Sequence, residues 1–205
     1  MRCVNCGAFS LRTICAACAA NLAECRLSMR QVEGFSVFYY YGYSEIRELI
    51  LSKHHEYGAA VLARIASLSL AKFPLHLQRE ISANPQNYEA FKTDGVFKFN
   101  AVPLDDDARS GYSHTAILAR ALKSELIKPK FHCLRAQNRV KYTGQSLEFR
   151  LKHKRNFKIL TPPQFPVILV DDIITSGLSM LQARESLIDG GFMPVCGLVL
   201  ANAKE

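Results

Sequence analysis

The chain has 205 residues, 49% of them hydrophobic and 21% charged, and it carries a net charge of +8. This composition predicts a soluble globular protein with one α/β domain and a small appendage. Its apolar segment Ala59 to Leu70 is interrupted by Arg64, short of the roughly 18 residues of a membrane span. The opening Met1-Arg2-Cys3 does not resemble the start of a signal peptide. We therefore expect a cytoplasmic protein without membrane insertion.

The first cysteines form a C-x2-C-x8-C-x2-C array, namely Cys3, Cys6, Cys15 and Cys18. Two such pairs can close a four-sulfur site of the kind that binds structural zinc. Disulfides are the weaker alternative because the cytosol keeps thiols reduced, and a two-cysteine redox motif would use only one pair. Residues 1–30 hold few large apolar side chains, so we expect metal ligation to fold them as a zinc finger. Three further cysteines are expected to be buried and not to bind metal: Cys25, Cys133 and Cys196.

The next part of the chain is predicted to hold an aromatic strand and two helices. Phe35 to Tyr43 is dense in strand-forming residues and predicts a strand or one arm of a hairpin. Its rings suit core packing or a base-stacking platform, and core packing is favoured because no basic residues alternate with them. Ser44 caps one helix, and a second runs from about Glu56 to Ala71, with the polar joint Lys53-His54-His55 between them. Pro74 to Gly95 shows no clear period and is predicted as a loop or insertion.

The remaining chain, within a domain of residues 31–205, predicts a parallel sheet flanked by helices. Its strands are expected near residues 96–102, 131–134, 167–170 and 195–200. One helix runs from Ser113 or His114 to Ile127, and another runs from Leu178 to Ile188. Because strands and helices alternate, we expect substrate at the carboxyl ends of the strands. Asp105 to Asp107 are interpreted as an exposed acidic turn, with a cation site as the alternative.

Residues 135–158 carry nearly all of the excess positive charge. Eight lysines and arginines stand against one acid, Glu148, which gives this segment +7 of the chain's +8. We interpret it as a basic flap, at about residues 135–160, that contacts the phosphates of single-stranded DNA. A solvated helix face is one alternative. Another is a flap whose charges only clamp the phosphates of a small ligand over the neighbouring site. The side chains expected to bind DNA are Arg135, Arg139, Lys141, Arg150, Lys152, Lys154 and Arg155.

The stretch that follows Pro166 joins a buried strand to an acidic pair and a turn. Four apolar residues predict a central strand that ends at Asp171. The small residues from Thr175 to Ser179 form a turn into a helix, whose unpaired N–H groups suit a phosphate. Asp171 and Asp172 would repel a phosphate, so we expect them to hold hydroxyl groups or a magnesium ion bound through water. A ribose 5-phosphate carries both kinds of group.

This motif resembles the phosphoribosyl pyrophosphate (PRPP) signature of type I phosphoribosyltransferases. The resemblance implies that the acidic pair holds the ribose hydroxyls, with magnesium bound together with PRPP. It implies that the 5′-phosphate is held by the turn residues Thr175, Ser176, Gly177, Leu178 and Ser179. One alternative is an ordinary βα turn with capping residues. Another is a Walker B strand, but its partner G-x-x-x-x-G-K-[S/T] does not occur in the sequence.

The order of motifs along the chain is similar to that of the ComF family of competence proteins. A four-cysteine knuckle precedes Val102-Pro103-Leu104, a helix start at Gly111-Tyr112, the stretch Arg135 to Phe157 and the Asp171 motif. The resemblance implies a type I phosphoribosyltransferase-like fold and a function in natural transformation. In that function the protein handles incoming single-stranded DNA in the cytoplasm and binds PRPP, and other competence or DNA-processing proteins are further partners.

The loop that would face pyrophosphate departs from the family pattern. Where the family has Arg-Gly-Phe-Asn-Gln, this chain has Arg109-Ser110-Gly111-Tyr112-Ser113-His114. The sequence also identifies no general base or acceptor, which leaves catalysis open. The PRPP motif alone favours transfer of a phosphoribosyl group to an acceptor such as a nucleobase. A DNA-binding adaptor that lacks chemistry is a third hypothesis.

Overall fold

The computed structural model describes residues 2–104, 111–138 and 155–204. The predicted acidic turn at Asp105 to Asp107 and most of the basic flap lie outside these ranges. The α-helices in the described ranges are α1 (Ala16–Ala23), α2 (Tyr43–Leu51), α3 (Gly58–Leu68), α4 (Phe73–Ala83), α5 (His114–Arg120) and α6 (Leu178–Asp189). The 3₁₀ helices are Ser52–His54, Leu70–Lys72 and Pro85–Phe91.

The strands in the same ranges form one large sheet and two small ribbons. They are β1 (Ser28–Val32), β2 (Phe35–Tyr39), β3 (Tyr41–Gly42), β4 (Lys92–Thr93), β5 (Val96–Phe97), β6 (Phe99–Pro103), β7 (Ile127–Pro129), β8 (Leu134–Ala136), β9 (Phe157–Ile159), β10 (Val167–Ile174) and β11 (Pro194–Asn202). The large sheet has the order β1-β2-β11-β10-β6-β7, and β3 also pairs with β11. Antiparallel ribbons are formed by β4 with β5 and by β8 with β9.

The large sheet is mostly parallel, which confirms the predicted α/β fold class. Strand β10 lies at its centre and runs parallel to both β6 and β11. Strand β2 also pairs with β11 in parallel, whereas β1 adds an antiparallel edge through its hairpin with β2. The first four residues of β10, Val167 to Val170, are all buried, as expected for a strand covered on both faces.

Two of the predicted elements between β6 and β10 lie elsewhere. The strand next to β6 is Ile127–Pro129, not residues 131–134. Residues 131–133 form a turn in which His132 takes a positive φ of 53°, and Leu134 begins β8 of a separate ribbon. The helix expected to reach Ile127 ends at Arg120. The prediction thus extended the helix too far, because residues 121–126 form the connection to β7, which begins at Ile127.

The predicted loop at Pro74 to Gly95 contains a helix. Helix α4 begins with Pro74 in its first turn, where the missing N–H of proline has no cost. Phe73, Leu77 and Ile81 recur every four residues and are buried, which is the spacing of an amphipathic helix. Pro85 follows its end and opens a 3₁₀ helix. The sequence prediction missed this helix because polar residues, with Pro, Asn and Gln among them, surround its apolar stripe.

The sheet separates two clusters of core side chains. Ile168 and Val170 face the cluster that includes α2, α3 and α5, whereas Val167 and Leu169 face the cluster that includes α6 and the β8–β9 ribbon. This alternation follows from the two-residue period of a strand. The aromatic stretch belongs to the core, as favoured above, since Phe35, Tyr40 and Tyr41 are buried.

The amino-terminal segment shares the first of these clusters. Cys3, Ile14, Cys18 and Leu22 are buried against it. The Tyr41 hydroxyl donates a hydrogen bond of 2.8 Å to the Leu22 carbonyl. A zinc finger bounded at residue 30 stays a prediction.

One helical run in the described ranges is long and apolar enough to cross a membrane, by length and composition alone. It extends from Gly58 to Ala83, and half of its apolar window is buried inside the protein. The run consists of α3, a 3₁₀ turn and α4, and Val61, Leu62 and Ile65 are fully buried in the core. Because core helices pass the same test, the run is a weak indication of a membrane span.

Candidate functional site

The acidic pair lies near the carboxyl end of β10, at the centre of the sheet. Strand β10 continues to Ile174, so the predicted end at Asp171 was three residues too early. The pleat of the strand sends Asp172 to the same face as Ile168 and Val170, and Asp171 to the other. The backbone N–H of Asp172 still donates a hydrogen bond of 2.9 Å to Asp171 Oδ1, which keeps the two carboxyl groups close together.

Asp172 is buried and is paired with two basic side chains from its own face of the sheet. The Lys53 ammonium lies 2.5 Å from Asp172 Oδ2, and His114 Nε2 lies 3.9 Å from the same oxygen. Burial acts to raise the pKa of Asp172, but the charges of Lys53 and His114 outweigh it, so the pKa lies below its usual range. Asp172 is therefore ionised at neutral pH.

Asp171 has the opposite protonation behaviour. Burial, followed by the neighbouring negative charge of Asp172, raises the pKa of Asp171 to about 8. The positive charge of Arg155 acts in the opposite direction and lowers the pKa of Asp171. At neutral pH the two carboxyl groups thus share one proton, as like charges at short range require. The side chains of His114, Asp171 and Asp172 place potential ligand atoms within 4.8 Å of one another.

The predicted phosphate turn lies directly beyond these acids and leads into α6. Gly177 has a positive φ of 85°, which favours glycine. A Cβ atom at this position would lie 2.5 Å from Val32 Cγ1 at the end of β1, so the hairpin leaves no room for a side chain. Ser176 Oγ accepts a hydrogen bond of 3.5 Å from the N–H of Leu178. Thr175 is exposed, and Ser179 lies in the first turn of α6.

Arg30 on β1 fixes the outer side of this turn. Its guanidinium donates hydrogen bonds to the Thr175 carbonyl at 2.8 Å and to Asn202 Oδ1 at 3.1 Å. It thereby ties the turn to the carboxyl end of β11. The cation also adds positive charge to a turn that already has the N-terminus of a 12-residue helix. This combination suits an anion.

Sequence reasoning missed Lys53 and Arg30 as members of the site. Lys53 was assigned only to a polar joint, and it lies 119 residues from Asp172 in the chain. Arg30 lies 145 residues from Thr175. Neither position belongs to a recognisable motif, so the sequence contained no signal for them. His114 was within a motif, because it occupies the loop that the family resemblance placed near pyrophosphate.

The predicted DNA-binding residues fall into three groups. Arg135 is exposed on β8, opposite Lys158 of β9. Arg155 is half-buried, its backbone N–H donates to Gln182 Oε1 at 2.9 Å, and its charge acts on Asp171. Arg155 is therefore close enough to the acidic pair for its charge to lower the pKa of Asp171. The others lie outside the described residues: Arg139, Lys141, Arg150, Lys152 and Lys154.

The four predicted cysteine ligands do come together. The sulfur atoms of Cys3, Cys6, Cys15 and Cys18 lie within 4.8 Å of one another, and those of Cys6 and Cys15 are 3.8 Å apart. A regular tetrahedron with zinc–sulfur bonds of about 2.3 Å has edges of about 3.8 Å. The backbone N–H of Cys15 also donates to Cys3 Sγ at 3.2 Å. This cluster could hold a metal ion such as zinc.

The thiols of this cluster perturb one another. Burial acts to raise the pKa of Cys3, but hydrogen bonds from the backbone of Cys15, Cys6 and Asn5 lower it to about 6. The Asn5 side chain acts to lower the pKa of Cys18, whereas burial and the other three thiols raise it to about 12. Four adjacent sulfurs therefore cannot all ionise without a cation, and a divalent metal supplies that compensation.

The other cysteines lie outside the cluster, as predicted. Burial raises the pKa of Cys133 to about 11 and that of Cys196 to about 12, so both thiols are protonated side chains of the core. Cys25 is half-buried and donates to the Leu68 carbonyl at 3.8 Å.

A scan against models of protein families finds no match for this chain, and a search of curated proteins finds no relative. The resemblance to the ComF family thus rests on the motifs alone. The functional evidence is the arrangement of charged groups around β10 and α6.

Proposed function

We propose that the site at the carboxyl end of β10 binds PRPP with magnesium, and that the protein is a ComF-type competence protein that handles single-stranded DNA. One observation carries the proposal. An acidic pair and an anion-binding turn follow each other on the central strand of a parallel sheet, at the end where ligands bind in such folds. This arrangement supports the proposal, because carboxylates can accept hydrogen bonds from sugar hydroxyls and a turn at a helix N-terminus can donate hydrogen bonds to a phosphate.

In this proposal, different residues bind different parts of the ligand. The backbone N–H groups at the start of α6 and the hydroxyls of Thr175, Ser176 and Ser179 hold the 5′-phosphate. Asp171 and Asp172 accept hydrogen bonds from the ribose hydroxyls. Magnesium, when bound with PRPP, offsets the negative charge of the pyrophosphate next to these carboxylates.

The amino-terminal cysteines bind zinc in this proposal, and the metal has a structural role. All four positions are filled by sulfur, which leaves no open coordination position for catalysis. The basic segment supplies the contacts with DNA, in the cytoplasm, through its phosphates.

A gene deletion in a naturally transformable host tests the proposal as a whole. Loss of the protein should lower transformation by linear chromosomal DNA at least tenfold and leave the salvage of purines and pyrimidines intact. Complementation with the unchanged gene should restore transformation, whereas Asp171→Ala and Asp172→Asn should not. Normal transformation combined with failed salvage would show instead a phosphoribosyltransferase that acts on a nucleobase.

A further inference from the structure

The ammonium group of Lys53 donates a hydrogen bond directly to Asp172 of the acidic pair. It comes from the 3₁₀ helix Ser52–His54, far from the PRPP-like motif in sequence. The burial of this lysine works against its charge, but the ion pair with Asp172 raises its pKa above the usual value. A charged ammonium group is thus fixed inside the site.

The backbone around Lys53 is built to hold this position. The hydroxyl of Tyr112, next to α5, donates a hydrogen bond of 2.9 Å to the Lys53 carbonyl. Gly58 closes the joint from the other side, because a Cβ atom there would lie 2.2 Å from the Ser52 carbonyl oxygen and 2.4 Å from the Tyr112 hydroxyl. The lysine is therefore held by two elements and does not merely extend from a mobile surface.

The ammonium group has binding capacity beyond Asp172. An ammonium carries three donors, and among the described residues Asp172 is its hydrogen-bond partner. The side chain of Lys53 is 21% exposed, whereas that of Asp172 is 5% exposed. A ligand that enters from solvent can therefore reach the lysine on the side that Asp172 leaves open.

The turn that holds the 5′-phosphate in the proposed function lies further along the chain than the contact between Lys53 and Asp172. Thr175 follows Asp172 by three residues along an extended chain, which is about 10 Å at 3.3 Å per residue. A single phosphate spans much less than this distance. The candidate for contact with Lys53 is therefore an anionic group at the other end of the sugar, on the far side of the carboxylates from the turn.

We infer that Lys53 binds a second anionic group of the ligand and makes the site selective for a ribose phosphate with an anion at both ends. On the proposed function, on which this inference rests, that ligand is PRPP, and the compound it excludes is ribose 5-phosphate. Without the lysine, a pyrophosphate would face two carboxyl groups with less positive charge to balance them. Lys53 thus acts on affinity for the pyrophosphate end and not on the hydroxyls.

Calorimetry with PRPP and with ribose 5-phosphate, both in excess magnesium, tests this inference. The unchanged protein should bind PRPP the more tightly. Lys53→Met should weaken PRPP binding by about tenfold to a hundredfold, the range expected for one lost charge-assisted hydrogen bond, and should change ribose 5-phosphate binding less than about threefold. Lys53→Arg should keep most of the preference, and Lys123→Met, at an exposed lysine away from the site, should bind both ligands normally.

A double variant guards against misfolding. Lys53→Met leaves Asp172 buried without its partner, which is destabilising, so Lys53→Met with Asp172→Asn removes both charges and should also lose the preference for PRPP. Equal losses for both ligands would show that Lys53 only positions Asp172, and unchanged binding would show that it does not contact the ligand. If the unchanged protein binds neither compound, the proposed function fails, and the inference with it.

Discussion

At the scale of single residues, the adjacent Asp171 and Asp172 differ in protonation because their side chains lie on opposite faces of strand β10. Asp172 faces Lys53 and His114, which hold it ionised. Asp171 faces the opposite core and receives most of its perturbation from burial and from Asp172 itself. The pair presents one acceptor and one proton donor at neutral pH. A ligand that needs two carboxylate acceptors must therefore displace the proton on Asp171.

This protonation state predicts that the binding of PRPP with magnesium strengthens as pH rises. Asp171 is protonated below its pKa of about 8. The protein must therefore release that proton when a ligand binds to Asp171 as a carboxylate. Affinity should rise by up to about tenfold for each pH unit below 8 and level off above it. Calorimetry at several pH values, in buffers of different ionisation enthalpy, measures both the affinity and the protons released.

Asp171→Asn is the matched variant for this effect. An amide cannot titrate, so proton release should vanish and the affinity should become nearly independent of pH in this range. Proton release that persists in this variant would assign the titration to another group.

Some residues of the site could be predicted from the sequence, and others could not. Asp171, Asp172 and Gly177 could be assigned because a short local pattern fixes their order on strand, turn and helix. Lys53 could not, because its contact with Asp172 depends on how α2 and α3 pack against the sheet. Such a contact is set by tertiary packing and leaves no periodic trace in the sequence.

At the scale of elements, the turn before α6 depends on its contact with the β1–β2 hairpin. Gly177→Ala should cost roughly 1–2 kcal/mol for the left-handed backbone. The clash with Val32 should add roughly 1–3 kcal/mol, because a β-branched side chain cannot easily rotate away. Urea denaturation measures the sum.

Gly191→Ala separates these two costs. Gly191 also has a positive φ, of 80°, but a Cβ atom there would meet nothing within 4 Å. It should therefore show the backbone cost alone, and Val32→Ala should relieve part of the loss in Gly177→Ala. Equal losses at the two glycines would mean that the hairpin yields to the added methyl group.

The cysteine cluster is the second element whose folding can be tested. Metal analysis of the purified protein should find about one zinc per chain, bound as in structural sites with four sulfur ligands. Cys6→Ser should lose the metal because it removes one of the four clustered sulfurs, whereas Cys25→Ser should retain it. A metal-free protein whose first 30 residues remain folded would contradict this prediction.

Elements with a strong local pattern were predicted, and those defined by their neighbours were not. Strands β10 and β11 and helix α6 agree with expectation because continuous apolar runs and glycine turns mark them. Strand β7 has three residues, and its assignment depends on the pairing of Ile127 with Phe99. Helix α4 was missed because its apolar stripe is diluted by polar residues.

At the scale of the whole molecule, one residue links the predicted DNA contacts to the acidic pair, namely Arg155. Arg155 belongs to the basic segment, stands where the described chain resumes, and its charge acts on Asp171. A DNA contact through Arg155 would therefore also affect the proposed PRPP site. Binding of DNA and of PRPP must then be tested with variants that separate them, and Arg155 cannot be grouped with the other basic residues.

The salt dependence of DNA binding provides that separation. If about four side chains of the segment engage phosphates, log K for single-stranded DNA should fall with log salt at a slope near −3, at ~0.7 per phosphate. Replacing Arg150, Lys152 and Lys154 together by glutamine should bring the slope to roughly −1 and leave PRPP affinity unchanged. Fluorescence anisotropy with a labelled oligonucleotide across a salt series measures the slope. Arg155→Gln should instead weaken PRPP binding, since the charge of Arg155 lowers the pKa of Asp171 and favours its ionised form. An undiminished slope in the triple variant would place the DNA contacts on another surface.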